Sequence, residues 1–113
     1  MRITTASVSE FLEALAAEKD VFCNTIRFNS GRRAVDGESK EPTKFQVVVQ
    51  VSAIVKIDEV SSYLLEGGEM CGVDYEDAKP DNSGTKRAEE LRTAIKEYAA
   101  AHNLRVLPGL VEV

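Results

Sequence analysis

The sequence contains 113 residues, of which 14 are basic and 19 acidic, so its formal net charge at neutral pH is −5. A chain of this length is expected to form a single domain over residues 1–113, because folded domains commonly contain on the order of 100–150 residues. Hydrophobic residues make up 43% and charged residues 29% of the chain, which excludes wholesale disorder, a collagen-like repeat and a coiled coil. The acidic balance argues against nonspecific nucleic-acid binding, since the phosphate backbone demands a concentrated positive surface.

Hydropathy and cysteine usage predict the compartment. No apolar run approaches the roughly 20 residues that span a bilayer, and residues 1–6 lack the apolar stretch of a signal peptide. Cys23 and Cys71 stand apart from any Cys-x-x-Cys or Cys/His spacing, so free thiols are expected and a zinc site has no support. We therefore expect a cytoplasmic protein without a membrane contact, metal or cofactor.

The first predicted element is a helix over residues Val8–Lys19, in which apolar side chains recur at helical spacing. Ser7 and Glu10 have the spacing of a capping box, whose two side chains accept hydrogen bonds from backbone N–H groups at the helix start. A strand is predicted next, over Val21–Phe28, which is rich in β-branched and aromatic residues. The following segment, Ser30–Thr43, has glycine and proline but almost no large apolar residue, and predicts a mobile loop.

The clearest pattern is the alternation from Phe45 to Ile57, which predicts a long strand with one dry face. The apolar positions are Phe45, Val47, Val49, Val51, Ala53, Val55 and Ile57. Thirteen residues would extend about 43 Å at about 3.3 Å each, longer than most strands in so small a domain. The pattern therefore predicts either a bulge in the strand or an overhang past its partners.

The segment Asp58–Tyr75 fits two structures. A short helix closed by Gly67-Gly68 is one of them. The other, which we favour, is a hairpin in which Ser61–Glu66 and Glu69–Tyr75 are strands joined by the glycine pair.

The rest of the chain predicts a polar connection, a second helix and a final strand. The helix has an apolar stripe made of Ala88, Leu91, Ile95, Tyr98, Ala99 and His102. Ser83 or Thr85 can cap its start, and Asn103 can adopt the left-handed conformation that ends a helix. The final strand, Leu104–Val113, is interrupted by Pro108 and should lie at a sheet edge.

Together these elements predict an α+β fold, a largely antiparallel sheet of four or five strands with two helices packed on one face. The dry face of the long strand and the stripe of the second helix are the largest apolar surfaces available. Val49 and Leu91 are therefore expected to share one core.

One short pattern points to catalysis. Asp77-Ala78-Lys79 matches the acidic-x-Lys spacing of metal-dependent nucleases, in which carboxylates hold the metal and the lysine activates water. Asp77 and Lys79 are thus the catalytic candidates, although the triplet is short and lies in a polar loop. His102, the single histidine, is expected to cap the end of the second helix. No phosphate-binding glycine motif or serine-hydrolase motif is present, so a catalytic role is not favoured.

Charge is segregated along the chain. Residues Asp58–Asp81, here called the acidic segment, contain eight carboxylates and one lysine. The basic segment, Arg27–Lys44, supplies the candidate partner-binding residues Arg27, Arg32, Arg33 and Lys44. Opposite charges on separate segments can steer association and fix its register.

The sequence therefore predicts a noncatalytic protein-interaction or self-assembly module, such as an assembly component, adaptor or regulatory subunit. A symmetric dimer or larger closed oligomer is expected, with strand residues near Leu110–Val113 in the contact and Arg32 and Arg33 meeting carboxylates of the acidic segment. The alternatives are a metal-dependent nuclease and a nucleic-acid-binding module.

Overall fold

The computed structural model describes residues 2–17, 25–35, 43–56, 58–76 and 79–108. These ranges contain two helices and five strands that form one sheet in the order β1-β4-β3-β2-β5. The elements are β1 (Arg2–Thr5), α1 (Val8–Ala17), β2 (Thr25–Ala34), β3 (Lys44–Lys56), β4 (Ser62–Tyr75), α2 (Ser83–Ala101) and β5 (Arg105–Pro108). The predicted α+β fold is confirmed.

The sheet is mostly antiparallel, but mixed. The central strands β2, β3 and β4 pair antiparallel, whereas the edge strand β1 pairs parallel with β4 and the edge strand β5 pairs parallel with β2. The sequence did not predict β1, because four residues of mixed polarity are too short to show a periodicity.

Both helices contact β3 and β4, and they contact each other, which places them on the same face of the sheet. The odd-numbered residues of β3 from Val47 to Val55 point into the core between sheet and helices and are buried. Val49 and Leu91 belong to this one core, as predicted. The opposite face, which carries the even-numbered residues of β3, is called the open face below. Among the described residues no helix covers it.

The long strand is present and is paired along its whole described length. β3 pairs with β4 from Lys44 to Lys56, and its predicted last residue, Ile57, lies outside the described residues. The expected bulge lies in the partner strand. Val47 pairs with Gly72 and Val48 with Met70, which leaves Cys71 as the extra residue. The bulge lets two long strands stay paired while their twist increases locally.

The hairpin predicted at Gly67-Gly68 is wrong, because β4 is a single strand that runs through both glycines. The glycines do not form a turn, but they allow neighbouring elements to approach the backbone of β4 closely. A Cβ atom on Gly67 would collide with the Thr5 side chain and lie 3.1 Å from Phe11 Cβ and 3.2 Å from the Ser7 carbonyl oxygen. The start of α1 therefore packs directly on the backbone of β4.

Replacing Gly67 with alanine should consequently destabilise the protein by about 1–3 kcal/mol, the usual cost of overpacking. Gly31 provides the matched control, since it also lies in a strand but a Cβ atom there would have no heavy atom within 4 Å. Gly31→Ala should be neutral or slightly stabilising. Urea denaturation of both variants would test this, and equal stabilities would contradict the close packing of α1 on β4.

The capping box of α1 is confirmed in part. The Ser7 hydroxyl accepts a hydrogen bond from the Glu10 N–H at 3.1 Å, and the Glu10 carboxylate accepts one from the Ala6 N–H at 2.8 Å. The predicted end of this helix, residues 18–19, lies outside the described residues, as do residues 21–24 of the predicted first strand.

The mobile loop predicted for Ser30–Thr43 is wrong for residues 30–34, which continue β2. This part of β2 has no apolar pattern because pairing with β3, rather than burial, holds it in the sheet. Residues 36–42 lie outside the described part of the chain.

The end of α2 and the strand after it follow the prediction. Asn103 has a φ of 56°, and the Leu104 N–H donates to the Ala99 carbonyl at 2.8 Å, which closes the helix. β5 lies at the edge of the sheet and ends at Pro108, while residues 109–113 of the predicted final strand are outside the described residues.

Candidate functional site

The four basic residues predicted to bind a partner do not form one group. Arg27 and Arg33 pair with Ser52 and Gln46 of β3, which places them on the open face together with Lys44. Arg32 points to the opposite, helix-covered face. Neighbouring residues of a strand alternate between faces, so Arg32 and Arg33 cannot bind the same surface.

Arg32 is held by the acidic segment of its own chain. Its guanidinium lies 4.3 Å from the centre of the Phe45 ring, and its Nη2 atom lies 2.8 Å from a carboxylate oxygen of Glu76. Its Nε atom lies 3.5 Å from Asp74 Oδ2. The sequence predicted that Arg32 meets the acidic segment of another copy, whereas in the structure it meets the acidic segment of its own chain.

Asp74 caps the second helix from a neighbouring strand. Its side chain accepts hydrogen bonds from the Thr85 hydroxyl and from the Thr85 N–H, the latter at 3.0 Å, while Asn82 at the N-cap position makes no side-chain cap. Asp74 is only 2% exposed. Burial by itself would raise the pKa of this carboxyl, but the hydrogen bonds from Thr85, the charge of Arg32 and the Gly84 N–H together lower it.

This arrangement requires the helix start to lie against β4. Gly84 is buried, and a Cβ atom there would lie 2.9 Å from a Val47 methyl and 3.0 Å from the Gly72 backbone. The sequence analysis missed the role of Asp74. No local pattern shows this role, because Asp74 has the same parity as Leu64 and Glu66 of the open face, and only the bulge at Cys71 turns its side chain to the helix-covered face.

Other carboxylates of the acidic segment also bind backbone N–H groups. Glu69 accepts a hydrogen bond at 3.0 Å from the Val8 N–H at the start of α1. Asp58 accepts from Val60 and Ser61 in the turn between β3 and β4, and these bonds lower its pKa. Much of the acidic segment is therefore committed to turns and helix starts.

The open face carries a basic surplus. Its basic side chains, assigned from strand register, are Arg2, Arg27, Arg33, Lys44, Lys56 and Arg105. Glu66 is the one carboxylate that the described strands place there, and it is bound by Arg2 at 3.3 Å and by the Thr4 hydroxyl at 3.3 Å. A positive face thus exists on a chain whose net charge is negative.

The basic side chains surround a neutral centre. Arg33 and Lys44 lie toward one end of the face, and the other basic residues lie toward the opposite end. The middle carries Gln50 and the partly buried Val48, together with Met70, which is 57% exposed. Ile54, nearer the second end, is 41% exposed. A partly apolar centre with a charged rim is the usual anatomy of a protein interface.

Only one of the two catalytic candidates lies within the described residues. Lys79 is exposed in the connection between β4 and α2, and Asp77 lies outside the described residues. Within the described ranges no three histidine, cysteine or carboxylate side chains form a group that could hold a metal ion. His102 is exposed at the end of α2, and its ring stacks on the Tyr98 ring with 4.2 Å between the ring centres. Its backbone N–H donates to the Tyr98 and Ala99 carbonyls.

In the part of the chain that the structure describes, neither helix is long and apolar enough to cross a membrane. Comparison with known proteins finds no matching family model, no similar curated protein and no similar solved structure.

Proposed function

We propose that the chain is a noncatalytic protein-interaction module that assembles through the open face of its sheet. The observation that carries the proposal is the basic rim around a neutral centre, on a chain that is acidic as a whole. We place this function in the cytoplasm, where Cys71 would remain a free thiol.

The size of the face supports an interface. The five strands contain 45 residues, which at about 3.3 Å per residue and about 4.8 Å between strands cover on the order of 700 Å². A standard protein interface buries about 800 Å² on each partner. The basic side chains also lie in two groups at the ends of the face instead of along a continuous path, which favours a protein over a nucleic-acid backbone.

A second copy of the chain is the partner we propose. Off the open face, the described carboxylates outnumber the basic side chains, as the exposed Glu59, Glu89, Glu90 and Glu97 illustrate. The basic face of one copy can therefore meet the acidic side of the next. Such a head-to-tail contact forms a ring when its rotation closes.

Sedimentation velocity at tens of micromolar protein tests this proposal. We expect an oligomer at low salt that dissociates as salt rises, because rim charges are screened. Arg33→Glu combined with Lys44→Glu should weaken association at least tenfold. Arg32 is unsuitable for this test, since its removal would leave Asp74 buried without its ion pair.

The matched control makes the same change in net charge elsewhere, by Arg87→Glu combined with Lys96→Glu on α2. Because α2 carries carboxylates of the acidic side, this variant should assemble at least as tightly as the wild type. A wild-type monomer at low salt, or an oligomer indifferent to the Arg33 and Lys44 changes, would contradict assembly through the open face.

Two further measurements address the alternative functions. Tight, salt-dependent binding of single-stranded DNA or RNA to the wild-type monomer would favour the nucleic-acid-binding module. Cleavage of either nucleic acid with Mg²⁺ or Mn²⁺ that is lost in Asp77→Asn and Lys79→Ala would favour the nuclease. We expect neither.

A further inference from the structure

Among the described residues, the outer edge of β2 is paired along only part of its length. β5 pairs with residues Thr25–Phe28 of β2 and ends there. The remaining residues, Asn29–Ala34, pair with β3 on their inner side, and no described strand pairs with their outer side. This free edge contains no proline and no bulge.

The hydrogen-bonding pattern shows which backbone groups face outward. The Val35 N–H donates to the Lys44 carbonyl of β3 at 3.0 Å, so the odd-numbered residues of β2 bond to β3. The even-numbered residues Ser30, Arg32 and Ala34 therefore direct their N–H and C=O groups away from β3. These groups can form hydrogen bonds with another strand that lies beside β2 beyond the end of β5.

A groove of about 420 Å³ runs beside this edge, between β2 and α2. Val47 and Ala88 supply apolar side chains to it, and Ser30 and Thr85 supply hydroxyl groups. Alternate side chains of an added strand would enter this groove, because successive side chains of a strand point to opposite faces.

The charges at the edge select an acidic strand. Arg92 lines the groove on the helix side, where its guanidinium lies 5.3 Å from the centre of the Phe28 ring, whereas Arg32, which also lines the groove, is already paired with Asp74 and Glu76. Arg33 lies on the open-face side of the same edge. Glu89 is the one carboxylate that lines this groove among the described residues.

We propose that the free edge of β2 binds an extended, acidic segment of a partner protein by strand addition. The segment places small apolar side chains over Val47 and Ala88 on the groove side and carboxylates toward Arg33 on the open-face side. Main-chain hydrogen bonds provide affinity in this mode of recognition, and the alternate side chains provide specificity. The site goes beyond assembly through the open face, because it uses the strand edge and the groove.

Hydrogen exchange on the full chain tests the site with a defined probe, a synthetic peptide of about seven alternating valine and glutamate residues. Binding should slow exchange of the Ser30, Arg32 and Ala34 amides at least tenfold. The Gly31 and Arg33 amides, which already face β3, should change little. Peptide binding that leaves the three even-numbered amides unprotected would overturn the proposal.

Two N-methylated forms of the peptide provide a sharper control. Methylating the amides of one alternate set removes the donors that face β2, whereas methylating the other set leaves those donors intact. One form should lose at least tenfold in affinity and the other should bind like the parent peptide. Equal affinities would overturn strand addition. A peptide with lysine in place of glutamate should also bind at least tenfold more weakly, and equal binding would overturn the charge selection.

Ser30→Pro tests the edge from the protein side. Proline removes an outward N–H and is tolerated on edge strands, so the variant should keep its melting temperature and lose peptide binding. Ser30→Thr keeps the N–H and should bind normally. If Ser30→Pro does not fold, the N-methylated peptides on the wild-type chain decide the question.

The assembly test stays separate, because Ser30→Pro should leave sedimentation unchanged and Lys44→Glu should leave peptide affinity within about twofold. If the three amides are protected in the free chain and become exposed when the chain is ended at Pro108, the chain's own last residues occupy the edge. That result overturns the proposal, as does protection that depends on self-association.

Discussion

Val49→Asp should leave the chain unfolded at all temperatures. Val49 is completely buried in the core that joins β3 to both helices, so the substitution would place a carboxylate among apolar side chains. Burying an unpaired charge costs more than about 5 kcal/mol, which is comparable to the whole stability of a domain of this size. Circular dichroism should show no cooperative thermal transition.

Gln50→Asp is the matched control, because Gln50 is the next residue of the same strand and lies exposed on the open face. This variant should fold and melt cooperatively within a few degrees of the wild type, since exposed substitutions usually change stability by less than about 0.5 kcal/mol. A cooperatively melting Val49→Asp protein would show that the faces of β3 are assigned the wrong way round.

Asp74→Ala should cost about 3 kcal/mol of unfolding free energy. The substitution removes the cap of α2, contributing about 1–2 kcal/mol, and leaves the Thr85 hydroxyl and N–H without their acceptor. It also removes one of the two carboxylates that hold Arg32. Glu76→Ala removes the other, exposed carboxylate and should cost less than about 1 kcal/mol. Equal losses in urea denaturation would contradict a special role for the buried carboxylate.

The pH dependence of stability should identify the same group. The folded pKa of Asp74 is lower than its ordinary value of 3.8, so its charged form stabilises the fold above that pH. This contribution should be lost as pH falls below about 4 and through the folded pKa. The difference in stability between wild type and Asp74→Ala should therefore be largest near neutral pH and shrink in acid. A difference that is constant down to pH 2 would contradict a stabilising Asp74 carboxylate.

Sequence patterns were sufficient to predict the local elements whose signals lie within a few residues of each other. The Ser7 and Glu10 spacing predicted the start of α1, because a helix cap is made by neighbouring groups. Alternation along β3 distinguished the buried face of the strand from its more exposed face, because successive side chains of a strand point to opposite faces. Asn103 predicted the end of α2 through its tolerance of a left-handed backbone.

Features that depend on strand pairing became visible only in the folded sheet. Two consecutive glycines are typical of a turn. In the structure both glycines lie within one strand, and Gly67 is in close contact with α1 and β1. The sequence showed charge as acidic and basic segments of the chain. In the sheet, neighbouring residues of a segment lie on opposite faces, so Arg32 and Arg33 are separated. The cap on α2 comes from Asp74, eleven residues before Thr85. Register brings such residues together, and register is set by the packing of the whole sheet, which no single segment encodes.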